Sequence, residues 1–294
     1  IWLAWCSSRR GTGGMHIRYG WRREPRSGST VARVARGRAM IHLSVQRFTR
    51  QYVGIRSEDG MSELIDTTEM YLRTLYELLE EGIDLRRARI VDRLHQSGPT
   101  VSQTVSRMER DGLVVLRKDR SLGLTSTGHD RAQAVMRRHR LVECLLTEVI
   151  GLDRVDVHDE ACRWEHVISP QVEQRLDIIL GHPRVSPFGN AIPYAHGQAS
   201  SDSAQHFRDD SEPLTSFLEE RTDPVRFRLV RMSEFFQATE PNLAMAERVG
   251  MLPGDVMVAS RDDDAIAVRT TTGEVRFPEA DGEGLFVAGV DDQR

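Results

Sequence analysis

The stretch from Gln96 to Leu113 leaves a chain few ways to fold. Ala88, Val91 and Leu94 repeat at helical spacing, Ser97-Gly98 breaks the repeat, and Pro99 suits the first position of a new helix. Val101, Val105 and Met108 then recur at i, i+4 and i+7 until Asp111-Gly112 stops the run. Two short helices around a tight turn, sharing one apolar stripe, form a helix-turn-helix whose polar face is turned outward. Upstream, Asp66-Thr-Thr-Glu69 reads as an N-cap with a carboxylate three residues on, opening a helix that runs to Glu81 and stops at Gly82. Downstream, Leu113 to Leu116 and Leu122 to Leu124 flank the polar Arg117-Lys-Asp-Arg-Ser121, a pair of strands with a charged tip, or wing.

Such a unit reads DNA with its second helix while basic side chains hold phosphates. Ser97, Pro99, Thr100, Ser102, Gln103 and Thr104 cluster at that helix's start, with Arg107 and Arg110 further along, Arg87 on the preceding helix and Arg120 in the wing. Gln103 is suited to bidentate contact with adenine, and the Pro99 or Ser97 edge to a thymine methyl. Few base readers among many phosphate holders imply modest direct readout.

A second pattern follows. Thr127 caps a long helix closed by Gly151, and on it His139 and Glu143 stand at i, i+4. Cys162, Glu165 and His166 stand at i, i+3 and i+4 on the next helix, with His158 just before them. Residues so spaced share a helix face and can hold one ion together. Packing or a surface ion pair would explain either set alone; two sets in one short region point to metal binding. Mixed S, N and O donors suit a borderline divalent ion such as Fe²⁺, Co²⁺, Ni²⁺ or Zn²⁺ better than Mg²⁺ or Ca²⁺. Cys144 has no such partner and reads as helix packing.

Three cysteines at 6, 144 and 162 make no disulfide framework and point to the reducing cytoplasm. No run approaches the roughly 18 to 20 apolar residues of a membrane span. The net charge of −4 conceals a division: residues 1 to 60 carry 12 Arg against three acids (+9), which leaves −13 for the remainder. That leader shows no sustained 3.6 or 2 period, so it is expected to be irregular, either upstream sequence translated from a misplaced start before Met61 or a basic arm adding phosphate contacts. After Ser169-Pro170 opens a helix reaching Gly181, Ser186 to Pro193 is too rich in Pro and Gly for regular structure, and residues 201–223 read as a linker. From Pro224 alternating runs at 225–230, 255–259 and 265–269 predict a small β-barrel.

Residues 61 to 193 resemble the iron-dependent repressors of the diphtheria toxin repressor family. The likeness is carried by Asp66 to Thr74, Arg87-Ala-Arg-Ile90, Gln96 to Gly112, Asp119-Arg-Ser-Leu122, Met136 to Leu141, His158 to His166 and Ser186-Pro-Phe-Gly-Asn190. It implies a mainly α protein with a small β part: a winged helix-turn-helix domain at 61–133, a helical dimerisation and metal-binding domain at 134–200, and an SH3-like domain at 224–294. It further implies a primary metal site of Met70, Cys162, Glu165 and His166, and an ancillary site of His139, Glu143 and His158 completed by Glu234 and Gln237. An anion pocket at Arg140, Ser186 and Asn190 is implied too. The activity implied is that of a homodimeric, Fe²⁺-activated repressor on double-stranded palindromic operator DNA, with two dimers per operator as one arrangement and no membrane partner. A Cys and a thioether favour iron over manganese, although a repressor responding to Mn²⁺, Zn²⁺ or Ni²⁺ is the alternative within the same fold. From other classes, a metallohydrolase needs a general base beside an open coordination position, which no motif supplies, and passive iron buffering would bind metal without sequence-specific DNA affinity.

Overall fold

The computed structural model describes residues 2–11, 14–23, 67–194, 210–219, 221, 224–239 and 241–290. The chain divides into two units, Ile1–Ser62 and Glu63–Arg294. In the first, β1 (Trp2–Gly11) and β2 (Gly14–Arg23) pair antiparallel from Trp2↔Arg23 to Gly11↔Gly14. This corrects the expectation of an irregular leader. A two-residue, glycine-flanked connection is itself a hairpin signal, and in β2 Met15, Ile17, Tyr19 and Trp21 alternate with polar or glycine residues as a strand requires, whereas β1 shows no such alternation. The Asp66 cap lies outside the described residues.

In the second unit, α1 (Thr67–Glu80), α2 (Arg87–Leu94) and α3 (Gly98–Arg110) form the expected helical trio. His95 adopts the left-handed conformation that ends α2, and the Ser97 hydroxyl accepts from Thr100 N to start α3. Val101, Val105 and Met108 are buried against Tyr71, Leu72, Leu75 and Ile90, so the α3 stripe builds the core of this region. The wing is β3 (Val114–Leu116) paired antiparallel with β4 (Leu122–Leu124). Its tip is tied by Asp119, whose Oδ1 accepts from Ser121 N and Oγ.

The long helix α4 (Ser126–Cys144) is capped by Thr125, not Thr127: the Thr125 hydroxyl accepts from Gly128 N at 3.0 Å. A π-helical turn, Leu145–Ile150, extends α4 to Gly151. Then come α5 (Arg154–Trp164) and α6 (Pro170–Ile179), the latter capped by Ser169. One continuous helix thus crosses the boundary expected at 133/134.

The C-terminal β part is a six-stranded antiparallel sheet of β5 (Glu212–Pro213), β6 (Val225–Met232), β7 (Val256–Asp262), β8 (Ala265–Arg269), β9 (Glu274–Pro278) and β10 (Leu285–Gly289). Its order is β5-β10-β6-β7-β8-β9. Three short helices accompany it: α7 (Leu214–Glu219), α8 (Glu234–Ala238) and α9 (Asn242–Arg248). The expected linker is therefore shorter than 201–223, because β5 and α7 belong to this part and bury Leu214, Phe217 and Leu218 at i, i+3 and i+4. The sheet's apolar face shares one core with Val142, Leu146, Val157, Ala161 and Phe188 of the helical region. That shared core sets the β part against the helices that carry the metal-ligating pattern.

Candidate metal centre

Three elements converge beside α4. His139 and Glu143 lie on α4, His158 and Cys162 on α5, and Glu165 and His166 in the turn leaving it. The i, i+4 spacing places His139 Nε2 3.0 Å from Glu143 Oε1, and the other ring nitrogen, Nδ1, 2.6 Å from Glu165 Oε2. The His139 and His158 rings meet edge to face at 5.1 Å, and His158 Nε2 lies 3.5 Å from Cys162 Sγ. His139, Glu143 and His158 form one group whose ligand atoms all lie within 4.8 Å of one another, and His139, Cys162 and Glu165 form another. The sequence patterns suggest two separate sites; the structure joins them through His139.

The chemistry of this cluster fits a cation. His139 and Glu143 are fully buried, and Glu143 Oε2 and His158 Nδ1 have no hydrogen-bond partner among the described residues. Buried polar atoms without partners are costly unless something binds them. Burial opposes ionisation of Cys162, yet the Arg73 guanidinium and then the His158 ring outweigh it and hold the thiol well below its usual range. Burial likewise opposes charge on Glu165, and Arg73 and His139 bring that carboxyl down to about 2. A thiolate and a carboxylate ready to bind are thus present together.

His166 stands at the edge, its Nδ1 2.9 Å from Glu69 Oε2 and its Nε2 3.2 Å from Glu165 Oε1. Met70 is on α1 and packs against the core of the DNA-binding region. Glu234 and Gln237, on α8, do not join the donor groups. Glu234 Oε1 accepts from Arg140 Nε at 2.8 Å, and Gln237 Nε2 donates to the Met232 carbonyl at 2.9 Å. The expected anion pocket is filled by protein carboxylates: fully buried Arg140 is bound by Glu80 at 2.6 and 2.9 Å and by Glu234. Ser186 Oγ accepts from Phe188 N, and Asn190 Nδ2 donates to the Met232 carbonyl. Arg140 cannot serve an outside anion while two carboxylates hold it.

On the DNA-binding side, Ser97, Pro99, Thr100, Ser102, Gln103, Arg107, Arg110 and Arg120 are exposed and Arg87 is half-buried. Thr104 is a correction, since it is 8% exposed and lies on the inward edge of α3 beside Tyr71. Its register, i+3 from Val101, is that of the apolar stripe. Sequence reasoning missed Arg73, Glu69 and Glu80. Glu69 reads as a capping residue, and nothing local signals a partner two helices away.

Residues 63–122 match the family described as iron dependent repressor, N-terminal DNA binding domain, and residues 125–194 match iron dependent repressor, metal binding and dimerisation domain. The chain is 52% identical over 203 residues to the diphtheria toxin repressor of Corynebacterium diphtheriae, covering 68% of this chain and 84% of that protein. The chain belongs to the diphtheria toxin repressor family. The iron-dependent repressor IdeR of Mycobacterium tuberculosis is 65% identical over 133 residues, 45% of this chain and 58% of that one. Among solved structures, the manganese regulator SloR superimposes with a TM-score of 0.59 at 25% identity, covering 76% of this chain and 98% of that chain. As a diphtheria toxin repressor family member, the protein is a metal-dependent, DNA-binding transcriptional repressor and not an enzyme. Among the described residues no helix is long and apolar enough to cross a membrane.

Proposed function

We propose that this repressor is a homodimer activated by Fe²⁺ and that it binds palindromic operators. The observation that carries the metal assignment is the buried His139, Cys162 and Glu165 group, because a thiolate among N and O donors favours a softer ion than an all-oxygen site does. Met70, Cys162, Glu165 and His166 hold the activating ion, and His139, Glu143 and His158 an ancillary one. Bound there, the ion supplies positive charge that ties α1 to the helices of the second domain.

Met70 belongs to α1, whereas the other primary ligands follow α4. Ligation therefore selects one placement of the DNA-binding helices, the placement in which the two α3 helices of a dimer meet successive major grooves. Exposed Ile150, Val167, Val172, Ile178 and Ile179 give the α5 and α6 region an apolar surface suited to a second copy of the chain. By linkage, operator DNA raises metal affinity by the factor by which metal raises DNA affinity. SloR, named for manganese, supports a second reading, a repressor of the same fold responding to Mn²⁺.

The test is anaerobic binding of the full chain to a palindromic iron-box duplex and a scrambled duplex, with Fe²⁺, with Mn²⁺ and with chelator. Selective binding with Fe²⁺ alone is expected. Preference for Mn²⁺ moves the protein to the second reading, and binding that ignores metal or sequence refutes the coupling.

A further inference from the structure

One buried cation stands where a metal ion belongs. Arg73, from α1, places Nη1 3.0 Å from Cys162 Sγ, 3.2 Å from Glu165 Oε2 and 3.1 Å from His139 Nδ1. Cys162, Glu165 and His139 are the three members of one of two groups among the described residues whose donor atoms could hold an ion. The same guanidinium's Nε lies 3.1 Å from Glu77 Oε1, one turn along α1, and the Arg73 side chain is 11% exposed. A divalent ion on those three residues would sit about 2.0 to 2.3 Å from its N, O and S ligands. Such an ion leaves no room for a guanidinium nitrogen among the same atoms, and two cations there would repel strongly in a pocket this dry. Arg73 and metal therefore exclude each other.

We propose that Arg73 is a built-in competitor of the metal, a cation delivered by the first DNA-binding helix that fills the His139, Cys162 and Glu165 cluster until a divalent ion displaces it. The inference rests on Cys162 and Glu165 holding the activating ion, as put forward under Proposed function. Two consequences follow from the geometry. First, the apparent metal affinity is lowered by the fraction of molecules in which Arg73 has left, so this residue sets the metal level at which the repressor responds. Second, Arg73 stands at i+3 from Met70, on the same face of α1. Withdrawal of the guanidinium and entry of the thioether are then movements of one helix, which links filling of the site to the position of the DNA-binding domain. Glu77, whose Oε1 already lies 3.1 Å from Arg73 Nε, gives the displaced guanidinium a carboxyl to move against.

The rival account makes Arg73 a positioning cation that keeps Cys162 and Glu165 ionised for the metal; removing it would then weaken binding. The two accounts predict opposite signs. Full-length wild type, Arg73→Met, Arg73→Lys and Cys162→Ala would be titrated anaerobically with Co²⁺, following the thiolate-to-cobalt absorption band and competition with a chelator. The expected result is Co²⁺ affinity at least tenfold higher in Arg73→Met, about 1.4 kcal/mol. Arg73→Lys, which keeps the charge without the planar fork, should fall between that variant and wild type. It remains a test even if Arg73→Met fails to fold, which far-ultraviolet circular dichroism would reveal. Unchanged or weaker Co²⁺ affinity in the folded variants overturns the proposal. If wild type and Cys162→Ala titrate alike, the metal-site reading itself fails and the proposal with it; that outcome is distinct because Arg73 need not be varied to see it.

Discussion

At the residue scale, the metal centre is a store of protons as well as of ligands. Burial disfavours charge on His139 and His158, but Glu143 beside the first and Cys162 beside the second outweigh it, and both rings titrate above their ordinary value. A ring nitrogen must be free of its proton to bind metal, so loading the site releases protons and affinity rises with pH up to those raised values. Calorimetric Co²⁺ titrations in buffers of different ionisation enthalpy should show net proton release near pH 7; no release would contradict the assigned ligands. Glu165 has the opposite sign. Its carboxyl is drawn from 4.5 down to about 2, so it stabilises the metal-free fold fully above pH 4.5 and loses that contribution as pH falls toward 2. Urea unfolding between pH 3 and 7 should therefore show an acid-side decline that Glu165→Gln removes in part. The clustering of His139, Glu143, His158, Cys162 and Glu165 was legible because their spacing is helical and local. Glu69 and Arg73 were not, since their partners His166 and Glu165 come from the turn after α5, far along the chain, and a cation beside metal-ligating residue types looks wrong until the pairing is seen.

At the scale of elements, caps and stripes carry most of what sequence can say. Ser97, Pro99, Gly112 and Gly151 bound helices where turn chemistry puts them, and Val101, Val105 and Met108 all face the core. The strand at 285–289 escaped because Leu285, Phe286, Val287 and Ala288 are apolar without alternation, whereas the alternation at 15–21 and 274–277 is present in the sequence but short enough to pass as irregular. With Thr104 buried, the base reading proposed for α3 rests more heavily on Gln103. Replacing Gln103 with Ala should relax preference among operator variants, by about 1 to 3 kcal/mol at the base it reads. Arg107→Ala should instead lower affinity for all duplexes and flatten the salt dependence. Binding isotherms on matched and mutated duplexes at two salt concentrations distinguish these; equal effects would mean the two residues share a role. The turn from Ser186 to Asn190 is equally exacting. Gly189 has φ +87°, and a Cβ there would lie 2.2 Å from the Val230 carbonyl oxygen on β6. Gly189→Ala therefore has to strain its backbone and push β6 away, at a cost of roughly 2 kcal/mol or more in urea unfolding.

For the whole molecule, Arg140 joins the three functional parts at a single atom group. Its guanidinium, fully buried on α4, is held by Glu80 from the DNA-binding helix α1 and by Glu234 from α8 beside the C-terminal sheet. Burial pushes Glu80 up to about 7 despite Arg140, whereas Arg140 overcomes burial to draw Glu234 down. Glu234 is thus the firmer counterion at neutral pH. Removing it leaves a buried guanidinium with Glu80 as its remaining carboxyl partner, and such broken pairs cost about 3 to 5 kcal/mol. Glu234→Ala should destabilise the chain by that order, and adding Arg140→Met should recover much of the loss, because the pair's absence is cheaper than half of it. The apolar core runs unbroken from Val142 and Phe188 to Phe227 and Leu285, so the sheet and helices should melt in one transition in wild type. Calorimetry of the single and double variants decides the point: a double variant no more stable than Glu234→Ala would show that Glu234 acts through the sheet alone, and not as the counterion that couples it to α1 and α4.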